Sequence, residues 1–397
     1  MKVLIADKLS KRTEQTLRDL GIELDVQPDL TAEKLPDAIG QANVLVVRST
    51  RVSAETIDTG RKLSLIVRAG AGVNTIDTTA ASNRGIYVTN CPGMNSAAVA
   101  ELAIGLLVAC DRRIVDASTD LRAGKWRKKE YGKAYGLRGR TLGILGAGTI
   151  GRAVAQRARG MGMNVAAWSR SLDPQRAEEL NLDYCQSPLE LAGRCDAVSV
   201  HLAAVPETTE FVGQEFFQTM RQGAIFVNTS RGQVVDQEAL SQAIQQRGLR
   251  VGLDVFAKEP SVGDAPFEDT ALAGCITATP HIGASTEEAA DAIAGEVVRI
   301  IRTFHETGKP PKAINMCQRS PATHSLVVRH YNRVGVLAGV LDLLREEEIN
   351  VEEMENTIFD GAEAACCTLQ LDAPPSAAVL AGLEASELIL QVTFGSR

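Results

Sequence analysis

Six residues, Gly146-Ala-Gly148-Thr149-Ile150-Gly151, constrain the fold of this chain more than any other stretch. They are entered from the apolar run Thr141–Leu145 and lead into a helical pattern, so a buried strand must turn tightly into a helix. Gly146 permits the turn, Gly148 lets backbone approach a pyrophosphate, and Gly151 lets helix and strand pack closely. The free N–H groups of the helix N-terminus then face the phosphates. A strand, a glycine turn and a helix in this order predict a dinucleotide site in a parallel sheet.

The flanking pattern agrees. Val3–Ala6, Glu23–Val26, Val44–Val47, Leu65–Arg68 and Ile86–Thr89 read as strands buried on both faces. Lys11–Leu20, Thr31–Ile39, Ala54–Gly60 and Ile76–Arg84 read as the helices between them. Strands alternating with helices predict a doubly wound parallel sheet. One long helix is expected from Ser96 to about Ile114, followed by the polar stretch Lys125–Gly132. A second such sheet begins at Thr141, with strands at Asn164–Trp168, Ala197–His201, Ala224–Asn228, Arg250–Asp254 and Cys275–Ala278, and a helix at Glu287–His305. After Gly308-Lys-Pro-Pro311 the order becomes β-α-β-β-α-β, the pattern of a small ferredoxin-like module.

At 397 residues, two or three domains are expected, and 45% apolar against 23% charged residues supports a core in each. A net charge of −7 without a long basic block argues against coating nucleic acid or anionic membrane. The apolar stretch Ala97–Cys110 is interrupted by Glu101 and is short of the ~20 residues a membrane span needs. The opening Met-Lys-Val-Leu-Ile-Ala-Asp meets an acid before a signal-peptide apolar region forms, so a cytosolic protein is expected. Eight cysteines without a Cys-x-x-Cys pair read as buried, reduced thiols rather than metal ligands or disulfides.

The residue that reads the cofactor ribose is unusual. An Asp or Glu is expected about twenty residues past the glycines. This chain has Ser169-Arg170 there, a pair suited to a 2′-phosphate, which leans the choice between NAD(H) and NADP(H) slightly towards NADP(H). The alternative is that Arg170 stacks on adenine or lies in solvent while Asp173 reaches the ribose.

A further constellation follows later strands: Asn228-Thr229-Ser-Arg231-Gly232, Asp254 to Glu259-Pro260, and Pro280-His281-Ile-Gly-Ala. Ligands bind at the carboxyl ends of strands in open α/β sheets. A cation can anchor a carboxylate and polarise a carbonyl, an imidazole can exchange a hydroxyl proton, and a carboxylate can charge the imidazole. Such a set suits interconversion of a hydroxy acid and a keto acid. His201 reads as a core or backbone-bonding residue, His305 as a helix end and His324 as part of a linker. Between a strand and a helix, Gly70-Ala-Gly72-Val73-Asn74 can offer backbone N–H groups to a carboxylate. Arg48 and Arg51, three residues apart after a strand, suit a dianion.

The chain resembles the D-2-hydroxyacid dehydrogenase family, and within it the short-form 3-phosphoglycerate dehydrogenases. The resemblance rests on Val47-Arg-Ser, Arg68–Asn74, Gly124–Lys129, Thr141–Gly151, Arg231-Gly232, Leu253–Pro260 and Pro280–Thr286. It implies Arg231, Glu259 and His281 as the catalytic set, Asp254 against the nicotinamide carboxamide, and a phosphate at Arg48 and Arg51. It also implies a discontinuous substrate-binding domain (1–92 and 285–314) around an NAD(P)-binding domain (93–284), then a linker (315–323) and an ACT regulatory domain (324–397). Arg127, Lys128 and Lys129 could add charge from a neighbouring subunit of a homodimer or homotetramer, or be a solvated patch. His330-Tyr-Asn332-Arg-Val-Gly335 and Ile349-Asn350 resemble the ACT effector motif for L-serine, with Val334 where proline is common. The activity implied is oxidation of 3-phospho-D-glycerate to 3-phosphohydroxypyruvate in L-serine synthesis. Alternatives are a glyoxylate or hydroxypyruvate reductase and, from another class, a dinucleotide-sensing corepressor.

Overall fold

The computed structural model describes residues 1–260, 265–317 and 319–396. The chain forms two compact units, Met1–Asn315 and Met316–Arg397. Within the first unit, β1 (Lys2–Ile5), β2 (Glu23–Val26), β3 (Val44–Val47), β4 (Leu65–Arg68) and β5 (Tyr87–Asn90) form a parallel sheet in the order β2-β1-β3-β4-β5. Side chains alternate across a strand, so a continuous apolar run serves two cores. Val3, Ile5, Val44 and Val46 pack with Leu17, Val297 and Ile301. On the opposite face Leu4, Leu45, Val47 and Ile66 pack with Leu35, Ile57 and Ala81. The helix Glu287–Thr307 therefore returns from late in the sequence to cover the first sheet. The expectation of strands buried on both faces fails at β2, whose Glu23 is exposed because β2 is the sheet edge. The helix expected over 31–39 is confined to Leu35–Ala38, since Pro36 has no N–H to donate and is tolerated only in a first turn.

The second sheet comprises β6 (Thr141–Leu145), β7 (Asn164–Trp168), β8 (Asp183–Tyr184), β9 (Ala197–Val200), β10 (Ile225–Asn228), β11 (Arg250–Leu253) and β12 (Thr277–Ala278). Its order is β12-β11-β10-β9-β6-β7-β8, and all its pairs are parallel. The direction of winding reverses between β6 and β9, the crevice where such sheets bind ligands. The two-residue edge strand β8 carries too little apolar pattern to be seen in the sequence. The helix expected to Ile114 instead ends at Arg112: Arg113 is left-handed (φ 50°, ψ 46°), and a second helix runs Ile114–Arg122. The Arg113 side chain pairs with Asp116 (3.0 Å) and Glu130 (2.7 Å).

In the second unit β13 (His324–Tyr331), β14 (Val351–Ile358), β15 (Ala364–Leu371) and β16 (Ile389–Ser396) form an antiparallel sheet ordered β14-β15-β13-β16. Helices Val336–Glu346 and Ala377–Glu384 complete the β-α-β-β-α-β order. Their Val340, Leu344, Val379 and Leu383 pack on Leu326, Val328, Cys367 and Leu369. His324 lies at the start of β13, stacked on Phe394 at 5.4 Å, and so is not a linker residue. All eight cysteines are free and five are buried, whereas Cys275 and Cys317 are exposed. Burial pushes the Cys91 and Cys195 thiols up to about 12. Among the described residues no helix is long and apolar enough to cross a membrane, and no cluster of three or more candidate metal ligands exists.

Candidate active site

The loops after β10, β11 and β12 meet through backbone contacts that require small residues. A Cβ on Gly232 would lie 1.9 Å from the Phe256 carbonyl oxygen, so the Arg231 turn and the loop bearing Glu259 are packed backbone to backbone. Buried Asn228 braces the turn: its side-chain oxygen accepts from the Ser230 N–H (2.9 Å) and hydroxyl (2.7 Å), and its amide donates to the Arg231 carbonyl (3.0 Å). Glu259 accepts the Phe256 N–H through Oε1 (3.0 Å) and faces His281 Nδ1 through Oε2 at 2.7 Å. Because a carboxylate only accepts, Nδ1 carries a proton and Nε2 is left for proton exchange. The hydrogen bond to Glu259 holds His281 above the ordinary imidazole value against the opposing burial. Burial opposes ionisation of Glu259, but hydrogen bonds from His281 and the Phe256 N–H outweigh it and keep the carboxyl below its ordinary value.

His281 itself is left-handed (φ 53°), a costly conformation for a residue with a Cβ. Asp254 pins the loop. Its Oδ1 accepts from the Thr279 hydroxyl (2.6 Å) and the Ile282 N–H (2.8 Å), and its Oδ2 from the Gly283 N–H (2.8 Å). Of about four acceptor positions on a carboxylate, three are thus occupied, leaving one on Oδ2. Any Cβ on Gly283 would sit 2.9 Å from that oxygen, so the close N–H contact depends on glycine.

Two adjoining cavities share Arg68, Asn95, His281 and Ala284. One, of about 630 Å³, is also lined by Arg48, Ser49 and Glu259. The other, of about 450 Å³, is lined by Gly72, Val73, Asn74, Gly148, Thr149, Ile150, Thr229, Arg231 and Asp254. Arg231 donates to the Ser230 carbonyl (2.7 Å), and a Cβ on Gly72 would be 2.6 Å from its Nη2, so the Gly72 turn and the guanidinium are in close contact. Arg51 is exposed and lines neither cavity. Arg68, absent from the set picked out for chemistry, stands between Arg48 and Arg231. Burial and the repulsion of Arg231 and Arg48 lower its guanidinium below the ordinary value, and its Nε is buried without a partner. Asp7, at the end of β1, accepts the backbone N–H groups of Arg48 (2.7 Å), Ser49 (3.2 Å) and Thr50 (3.1 Å) and so shapes the Arg48 loop. Burial raises the Asp7 pKa, but these bonds more than compensate and keep it low. An acid ending a buried strand was the available signal for Asp7, and a basic residue ending one the signal for Arg68.

The glycine turn fits a dinucleotide. Gly146 has φ 105°, a Cβ on Gly151 would lie 2.1 Å from the Gly146 carbonyl oxygen, and Gly148 faces open space. The hydroxyl of Thr229 is buried without a partner beside this cavity, as are the side-chain oxygens of Asn95 and Ser96. Past β7, Ser169 is half-buried and Arg170 exposed, and neither lines the cavities. Asp173 caps the helix Pro174–Glu179, its Oδ1 accepting the Arg176 N–H at 2.7 Å. His201 hydrogen-bonds Ser199 at 2.8 Å, and burial pushes its pKa down to about 3, in keeping with a structural rather than an acid–base residue.

The model of the D-isomer specific 2-hydroxyacid dehydrogenase NAD-binding domain matches residues 104–283. A hydroxypyruvate reductase of Thermotoga maritima is 39% identical over 311 residues, 77% of this chain and 98% of that protein. The chain belongs to the D-isomer specific 2-hydroxyacid dehydrogenases. A D-3-phosphoglycerate dehydrogenase of Methanocaldococcus jannaschii is 37% identical over 76% of this chain, which spans only 58% of that protein's length. The solved NAD⁺-bound 3-phosphoglycerate dehydrogenase of Entamoeba histolytica is 28% identical with a TM-score of 0.66, covering 80% of this chain and 99% of that one.

Arg127, Lys128 and Lys129, also singled out in the sequence, line neither of the two cavities. Arg127 pairs with Asp120 at 3.3 Å and, with Lys128, lines a separate cleft of about 320 Å³; Lys129 is exposed on the adjoining short helix Lys128–Tyr131. In the second unit His330 is only 2% exposed, with its nitrogens facing the Tyr331 carbonyl (2.8 Å) and Asn356 Oδ1 (3.2 Å), so it is not open to a ligand. Asn332 donates its amide to the Ala362 carbonyl (3.0 Å) and Asn350 to Glu352 (2.8 Å). Asn332 adjoins Glu363 and Asn350 adjoins Asp372, at opposite ends of β15. That separation is on the order of 30 Å at about 3.4 Å per residue, so one amino acid cannot touch both amides of one chain.

Proposed function

We propose that this chain oxidises 3-phospho-D-glycerate to 3-phosphohydroxypyruvate, in the direction of L-serine synthesis in the cytosol. The observation that carries the reading is that Arg48 and Arg68, without carboxylate partners among the described residues, line the same cavity as Glu259 and His281. A substrate with a second anionic group beyond its carboxylate suits two fixed cations beside the reacting carbon. His281 takes the C2 hydroxyl proton on Nε2, and Glu259 compensates the imidazolium charge. Arg231 anchors the carboxylate and polarises the forming carbonyl, with the N–H groups of Gly72, Val73 and Asn74 at the carboxylate's other side. Gly146, Gly148, Thr149, Ile150, Gly151 and Thr229 hold the dinucleotide, with the free position of Asp254 Oδ2 for its carboxamide. When bound, that cofactor would supply the acceptor for the hydride leaving C2. Ser169 and Arg170 favour NADP(H).

The lack of Arg51 at the cavity, and Ser169-Arg170 in place of a ribose-binding carboxylate, favour a second reading as an NADPH-dependent glyoxylate or hydroxypyruvate reductase. Initial rates with phosphoglycerate, phosphohydroxypyruvate, hydroxypyruvate and glyoxylate, each with both nicotinamide cofactors, decide between them. A preference for unphosphorylated substrates overturns the first reading. In this proposal 1–92 and 285–314 bind substrate, 93–284 bind cofactor, and 324–397 form an ACT module of a homo-oligomer. Serine would meet Asn332 of one copy and Asn350 of another, which calorimetry with L-serine on the intact protein tests.

A further inference from the structure

The amino ends of β6, β9, β10 and β11 converge on a polar cleft of about 630 Å³. This is the opposite edge of the sheet from the glycine turn, since the five residues of β6 separate Arg140 from Gly146. Arginines stand in the segments that lead into three of these strands: Arg138 and Arg140 before β6, Arg221 before β10, and Arg247 and Arg250 at β11. Among the described residues two carboxylates answer them. Asp196 pairs with Arg221 at 2.7 Å, and buried Asp111 lies 3.1 Å from Arg140 and 3.8 Å from Arg250. Five guanidinium groups against two carboxylates leave three positive charges in one cleft of a chain whose net charge is −7.

Two of these cations have no anionic partner among the described residues. Arg138 makes no hydrogen bond or ion pair there, and Arg247 gives one guanidinium nitrogen to the Met220 carbonyl while its Nε is buried and unpartnered. Holding like charges together opposes folding unless a counter-charge joins them. Guanidinium forks match the oxygens of a phosphate in pairs, which an ammonium does not.

We infer that this cleft binds a compact, multiply charged phosphate compound at a site separate from the dinucleotide and the substrate. The test is titration calorimetry of the full chain with inorganic pyrophosphate, in the presence of saturating NADH and NADPH and at fixed ionic strength. One pyrophosphate per chain is expected, bound tenfold or more weakly by Arg138→Ser and by Arg247→Gln. Arg138 is exposed and unpaired, so its variant keeps the fold and decides the matter alone if Arg247→Gln melts early in a thermal scan. No binding by the wild type, equal binding by Arg138→Ser, or binding that vanishes once dinucleotide is added each overturns the inference. The last outcome would assign pyrophosphate to the glycine turn instead.

Discussion

Replacing Glu259 by Gln keeps the shape of the side chain and removes the charge facing His281. The lost contact is a 2.7 Å hydrogen bond between an imidazole and a carboxylate whose side chains are 46% and 32% exposed. A charge-assisted hydrogen bond contributes about 1.5–3 kcal/mol, and solvent screening at this exposure argues for the low end. A loss of about 1.5 kcal/mol corresponds to roughly a tenfold fall in kcat/KM. The pH profile adds a sign that a merely structural role would not produce. Glu259 raises the His281 pKa, so without its charge the imidazole loses its proton at lower pH. Oxidation needs the neutral base, and its rising limb should move to lower pH. Reduction needs the protonated acid, and its falling limb should move the same way. The assay is initial rate against pH in both directions, with a melting curve to confirm the fold. A variant with kcat/KM within twofold of wild type and unmoved limbs would refute the dyad.

Arg48→Ala should raise KM for a phosphorylated substrate tenfold or more while sparing hydroxypyruvate, whereas Arg51→Ala, outside the cavity, should change either by less than twofold; paired steady-state kinetics separate them. Gly72→Ala puts a methyl 2.6 Å from Arg231 Nη2, the movable end of a side chain, so melting should shift little while kcat/KM falls tenfold or more. If Arg170 reads a 2′-phosphate, Arg170→Ala weakens NADPH about tenfold and leaves NADH nearly unchanged in fluorescence titrations; equal effects refute it. His201, neutral because of burial, should show no imidazole titration by NMR above pH ~5, unlike His281.

Local chemistry was enough to specify much of this protein. Apolar runs such as Val44–Val47 need burial on both faces, and only a parallel sheet between helix layers supplies it. The glycine turn was legible because Gly151 packs on Gly146 and Ile144, a few residues before it, whereas the packing of Gly146 on the His201 carbonyl comes from a distant strand end. Arg231, Glu259 and His281 could be proposed because each follows a strand in the same sheet, whose carboxyl edge collects them. Their mutual geometry was not legible. The 2.7 Å His281–Glu259 contact depends on a left-handed His281 and on Asp254 holding three groups of the 279–283 loop, none of which a linear pattern encodes. Arg48 and Arg51 look alike in sequence, yet only Arg48 reaches the cavity, from a loop whose path is set by Asp7, forty-one residues earlier. The same holds for Asn332 and Asn350, two amides that strand pairing sends to opposite ends of β15. Periodicity reports which face of an element meets the core, because burial repeats along the chain. Which polar side chains converge is set by strand order and loop paths, and these arise only when distant segments pack.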